Sequence, residues 1–143
     1  MDTSRQEELV REMALEILEG APDGWTAMNY RYEHIGRAGA SENLVTFENG
    51  EIKRKRHPRS VMKKAISLKE GMHQEGKGTW LSMELTITQP GRFKVEFNYD
   101  KNTSIHPLPP LPGGYAYELE KYPRDPEYIP DWLQEKLRQA QGE

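Results

Sequence analysis

Four histidines, His34, His57, His73 and His106, are the first residues to test for chemistry, because imidazole moves protons and binds metals near neutral pH. They are scattered, and no two form an H-x-x-x-H or H-E-x-x-H pair. A zinc or iron site needs three or four converging ligands, and the spacing offers none. The chain has no cysteine, no G-x-S-x-G elbow and no glycine-rich phosphate loop between a strand and a helix. Gly36-Arg37-Ala38-Gly39 is too short and too generic to serve as one. Glu118 and Glu120 would share a face if their segment is a strand, and paired carboxylates can do acid–base work. A solvated acidic strand face is the plainer account. The expectation is a protein with no catalytic residues, no metal and no cofactor.

Charge and aromatic patterning suggest binding instead. Lys53-Arg54-Lys55-Arg56-His57-Pro58-Arg59, continuing to Lys63 and Lys64, is the sharpest charge feature. A nucleic-acid-binding or regulatory module using 53–64 is one reading. An edge strand and helix start kept soluble by charge fits better, because no RNA-binding aromatic motif accompanies the run and the rest of the chain is acidic. The C-terminal aromatics stand in a different setting. Tyr115, Tyr117, Tyr122, Tyr128 and Trp132 are interleaved with Glu118, Glu120, Asp125, Glu127 and Asp131. Aromatic anchors inside an acidic rim suit a protein interface with a basic partner. The candidate partner-binding residues are Tyr115, Tyr117, Glu118, Glu120, Asp125, Glu127 and Asp131. A C-terminal arm packed on its own sheet accounts for the same residues, and the two are compatible.

The elements that position these residues follow from periodicity. Leu81, Met83, Leu85 and Ile87 alternate with polar residues, and so do Phe93, Val95, Phe97 and Tyr99. Two such runs around Gln89-Pro90-Gly91 predict an antiparallel hairpin, with proline and glycine at the central positions of a type II turn. Its apolar face needs a cover. Leu9, Val10, Met13, Leu15, Ile17 and Leu18 predict an amphipathic helix over 4–19, capped by Thr3 or Ser4 and stopped by Gly20 and Pro22. Val61, Met62, Ala65, Ile66, Leu68 and Met72 predict a second over 60–74, with Ser60 as its cap.

Residues 25–33 read as a strand whose core face is Met28, Tyr30 and Tyr32, or else Trp25 and Ala27. Gly36 to Ser41 reads as a flexible connection and 43–49 as a strand. Asn49-Gly50 then turns into an edge strand over 51–56. The proline-rich arm, 107–130, is extended at first, with 115–120 as a possible short strand. Asp131 caps a last helix over 132–139. The order is α-β-β-β-α-β-β-(β)-α. The fold class is α+β: one domain, 1–143, with an antiparallel sheet of four to six strands and the helices packed mainly on one face.

Composition agrees. The 143 residues suffice for one sizeable core. Charged residues make up 30%, and the mean hydropathy is −0.91. The net charge of −3 is unevenly laid out: residues 1–50 hold 10 acidic and 4 basic groups, 51–77 hold 3 and 9, and 78–143 hold 10 and 7. No apolar run approaches the roughly 20 residues of a membrane span. The N-terminal MDTSRQEELVREM lacks the pattern of a signal peptide. With no disulfide framework, these features lead to the expectation of a cytoplasmic protein without membrane contact.

One stretch resembles a known family. Thr79-Trp80-Leu81-Ser82-Met83-Glu84-Leu85-Thr86-Ile87-Thr88, then Gly91-Arg92-Phe93-Lys94-Val95-Glu96-Phe97-Asn98-Tyr99-Asp100, is similar to the YezG-like family of bacterial antitoxin or immunity proteins. Shared features are a tryptophan-led strand, a G-x-F-K-V turn-and-strand and a terminal aromatic-N-Y-D. The N-terminal amphipathic helix, the early Trp25 and the late Trp132 after an acidic, proline-containing segment are also similar. The specific match covers 79–100, and the looser element order covers most of the chain. The 107–114 loop and the basic 53–64 stretch depart from it. The resemblance implies a non-enzymatic protein that binds the C-terminal domain of a polymorphic or contact-delivered toxin, as a 1:1 complex, and covers its active site. It assigns no contact residues, because its recognisable motif is the structural hairpin.

Overall fold

The structure is a computed structural model and describes residues 1–103 and 108–142. The chain runs α1 (Thr3–Glu19), β1 (Trp25–Ile35), β2 (Ala38–Phe47), β3 (Ile52–Arg54), α2 (Arg59–Gly71), β4 (Ser82–Thr88), β5 (Arg92–Asn98), α3 (Pro112–Lys121), a 3-10 turn (Pro126–Tyr128) and α4 (Asp131–Gln141). The five strands form one antiparallel sheet in the order β3-β2-β1-β4-β5. This is the expected α+β architecture, and the hairpin over 82–98 lies where the alternation placed it. Its turn differs: the Gln89–Pro90 bond is cis, which a type II turn does not contain.

One sheet face is apolar and one polar, as period-two alternation requires. Met28, Tyr30 and Tyr32 of β1, Val45 of β2 and Met83, Leu85 and Ile87 of β4 form the inner face. Leu9, Val10, Met13, Ala14 and Ile17 of α1 and Val61, Ala65 and Leu68 of α2 cover it. Of the two candidate faces of β1, Met28, Tyr30 and Tyr32 form the core face, and Ala27 does not join it. A bulge between Trp25 and Ala27 shifts the register, so Trp25 packs on the same core as Met28, Tyr30 and Tyr32. The outer face carries Asn29, Arg31, Glu42, Glu84 and Thr86. Asn29 Nδ2 donates to Glu84 at 2.7 Å, and Arg31 pairs with Glu42 at 3.2 Å.

Several expectations are corrected. The 36–41 segment is the tip and rising arm of the β1–β2 hairpin. Only Gly36 and Arg37 turn, and Gly36 adopts φ +65. Leu15 lies off the buried stripe of α1 and is 52% exposed. Asp2 caps α1, its Oδ1 accepting from the Arg5 amide at 2.8 Å. Pro58 and Pro130 precede α2 and α4, so Ser60 and Asp131 lie inside their first turns.

The largest correction is residues 115–120. They belong to a helix, α3, which Pro112 opens. Helical spacing brings Tyr115, Glu118 and Tyr122 to one buried side. A second, smaller core of Ile35, Leu81, Tyr115 and Leu133 joins α3 and α4 to the sheet end beside β1 and β4. Gly36 lies against the Gly114 backbone there: a Cβ on Gly36 would sit 2.5 Å from the Gly114 carbonyl oxygen.

Candidate partner-binding surface

The seven candidate residues divide into three groups. Tyr115 and Glu118 face inward, at 1% and 3% exposure. Tyr117 is half-buried, with the Arg37 guanidinium 4.7 Å from its ring centre. Glu120, Asp125, Glu127 and Asp131 are exposed. The strand reading placed Glu118 and Glu120 on one face. In a helix, residues two apart point to nearly opposite sides, so one carboxylate is buried and the other is in water.

Glu118 sits in a buried polar node that ties α2, α3 and the sheet together. Lys69 Nζ of α2 donates to Glu118 Oε2 at 2.8 Å and to the Trp80 carbonyl at 2.7 Å. Glu118 Oε1 accepts from the Gly36 amide at 3.0 Å. Thr79 Oγ1 donates to the Lys69 carbonyl at 2.6 Å, and Arg124 Nη2 donates to the Thr79 carbonyl at 3.1 Å. Burial lowers the Lys69 ammonium from its ordinary value, and the facing Glu118 carboxylate opposes that shift. A charge this deep is tolerated because an opposite charge and a backbone carbonyl face it directly. The sequence does carry a signal for the node, though the strand reading passes over it. Lys69 stands four residues after Ala65 on the buried stripe of α2, and a lysine on a buried stripe calls for a buried acid.

The same node aims the exposed rim. Arg124 Nη1 donates to the Tyr128 carbonyl at 3.0 Å, fixing the turn that carries Asp125, Glu127 and Tyr128. Tyr128 is 37% exposed, with Lys77 Nζ 5.6 Å from its ring centre. Trp132 Nε1 donates to the Asp100 carbonyl at 2.7 Å, which anchors the start of α4 to the end of the hairpin. Glu120, Asp125, Glu127 and Asp131 therefore lie on the end of α3, the 3-10 turn and the start of α4, elements joined by defined bonds.

The remaining candidates are not brought together. His34 Nδ1 lies 2.9 Å from the Tyr32 hydroxyl, and burial lowers its pKa. His57 bonds Ser41 at 3.0 Å and the Pro58 carbonyl at 3.1 Å, while His73 packs on Tyr122. His106 lies outside the described residues. Among the described residues no three metal-ligating side chains converge. The basic run is exposed from Lys53 to Arg56 and partly offset by acids: Lys53 meets Glu51, Arg54 meets Glu42, and Lys64 meets Glu16 at 2.7 Å. No helix among the described residues is long and apolar enough to cross a membrane.

None of the curated proteins matches the chain at a significant level. Residues 42–127, from β2 through the node to the acidic turn, match the YezG-like immunity protein family. They are 86 of the chain's 143 residues and include both strands of the hairpin, Lys69 and Glu118. On that match the chain belongs to the YezG-like immunity protein family.

Proposed function

We propose that this protein acts by binding: it is the antitoxin of a bacterial toxin domain and neutralises it by covering the active site in a 1:1 complex in the cytoplasm. Membership of an immunity protein family carries the reading. The interface we assign is the exposed rim of Glu120, Asp125, Glu127 and Asp131, with the half-buried Tyr117 and the partly exposed Tyr128 among them. Domains that act on nucleic acids or nucleotides concentrate positive charge at their sites, and an acidic rim would steer association with them and occlude them. Half-buried tyrosines supply contact area at little conformational cost.

The test is co-purification with the toxin domain encoded beside this protein, followed by rescue of cells that express that domain. Stoichiometric binding with rescue is the expected result. Failure to bind any adjacent toxin domain would overturn the reading. Salt-sensitive retardation of DNA or RNA that is lost on reversing the charges of 53–64 would favour the nucleic-acid alternative instead.

A further inference from the structure

The two edges of the sheet are built differently. β3 is three residues long and leads into an unbroken run of positive charge, Lys53 to Arg56. Two copies of that edge would repel each other, a common way to keep an edge solitary. β5 is seven residues long, pairs with β4 in an unbroken register, and has no strand on its outer side among the described residues. Its inner-face residues Phe93, Val95 and Phe97 line a groove of about 380 Å³ against Val10 and Arg11 of α1, and Phe93 is 42% exposed. A regular strand edge of this length, beside a part-filled apolar groove, is a template for another strand.

The sequence of β5 says which strand fits. Arg92-Phe93-Lys94-Val95-Glu96-Phe97-Asn98 is complementary to itself when reversed about Val95. Antiparallel pairing of two copies on that centre sets Val95 against Val95, Phe93 against Phe97, Lys94 against Glu96 and Arg92 against Asn98. Every apolar residue meets an apolar one, and each lysine meets a glutamate on the outer face. Residues directly opposite in antiparallel strands share a face, so this register keeps both polar faces on one side and both copies of α1 on the other. Within one chain the charges are poorly served. Glu96 stands opposite Glu84 of β4, a like-charge pair, and reaches Lys94 only at 3.7 Å with both side chains largely in water. A second copy would place a lysine on the open side of Glu96.

We infer that β5 is a homodimerisation edge: two chains pair antiparallel about Val95, joining their five-stranded sheets into one continuous sheet. The inference goes beyond toxin binding and does not depend on it.

Sedimentation of the full chain across a concentration series tests it, with Lys94→Glu and Glu96→Lys run separately and mixed. Both residues are exposed, and circular dichroism confirms the fold of each variant. The wild type should dimerise. Each single variant creates two like-charge pairs across the dyad and should weaken the dimer by roughly tenfold or more. In the equimolar mixture the two acids on the β5 strand of the Lys94→Glu chain face the two lysines on that of the Glu96→Lys chain. Wild-type affinity should then return, as a heterodimer. A wild type that stays monomeric, a dimer indifferent to either substitution, or a mixture that fails to associate overturns the inference.

Discussion

Lys69 and Glu118, each 3% exposed at the side chain, tie α3 to α2 and to the sheet end. Removing one partner of such a pair leaves a buried charge uncompensated, at a cost of about 3–5 kcal/mol. Glu118→Gln should therefore lower the free energy of unfolding by that order, a large share of a stability of roughly 5–15 kcal/mol. The double variant Lys69→Met/Glu118→Leu should cost clearly less than the two single changes together. Chemical denaturation of the four proteins in a double-mutant cycle checks this, and additive losses would show that the charges do not act as a pair.

The buried tyrosines give a second expectation at this scale. Burial, followed by the Glu118 and Glu70 charges, raises Tyr32 from 10.0 to about 12, and burial also raises Tyr30 and Tyr115. These phenols keep their protons longer folded than unfolded. Their contribution is complete below pH 10, and that of Tyr32 is lost as pH rises through about 12. Lys69 has the opposite sign, since its folded value lies below 10.5, so its gain with rising pH is over by that point. Denaturation midpoints should fall above pH 10, in step with tyrosinate absorbance; a flat alkaline limb would contradict the burial.

At the scale of elements, α3 and α4 form a layer with its own small core of Ile35, Leu81, Tyr115 and Leu133. Few large side chains hold it, so it should open before the main core does. Leu133→Ala should cost about 2–5 kcal/mol, as truncations of buried leucine do. Amide exchange should accelerate in α3 and α4, with β1 and β4 little changed. Uniform acceleration would show that the layer is not a separate cooperative unit. This layer is also where the alternation of Tyr115-Ala116-Tyr117-Glu118-Leu119-Glu120 misled. Period two read as a strand, but a strand needs a partner, and Pro112 starts a helix whose Tyr115 and Glu118 are three apart.

At the scale of the whole molecule, function is a matter of which surfaces remain open. Glu120→Lys, Glu127→Lys and Asp131→Lys together should weaken binding to the cognate toxin domain by roughly a hundredfold or more and flatten its salt dependence, with the fold retained by circular dichroism. Calorimetric titration at two salt concentrations measures both, and undiminished affinity would place the interface elsewhere. The sequence by itself determined the antiparallel hairpin and its apolar face, the two covering helices and the family, and left the inward face of β1 open. Each of those is a local pattern: alternation over 82–88 and 92–98, and helical spacing from Leu9 to Ile17 and from Val61 to Leu68. Only the tertiary structure decided that Glu118 belongs inside while Glu120 stays in water, because that depends on Lys69, 49 positions away in the chain. It also decided which edge of the sheet is left open, since strand order follows from long-range pairing that no short stretch of residues encodes.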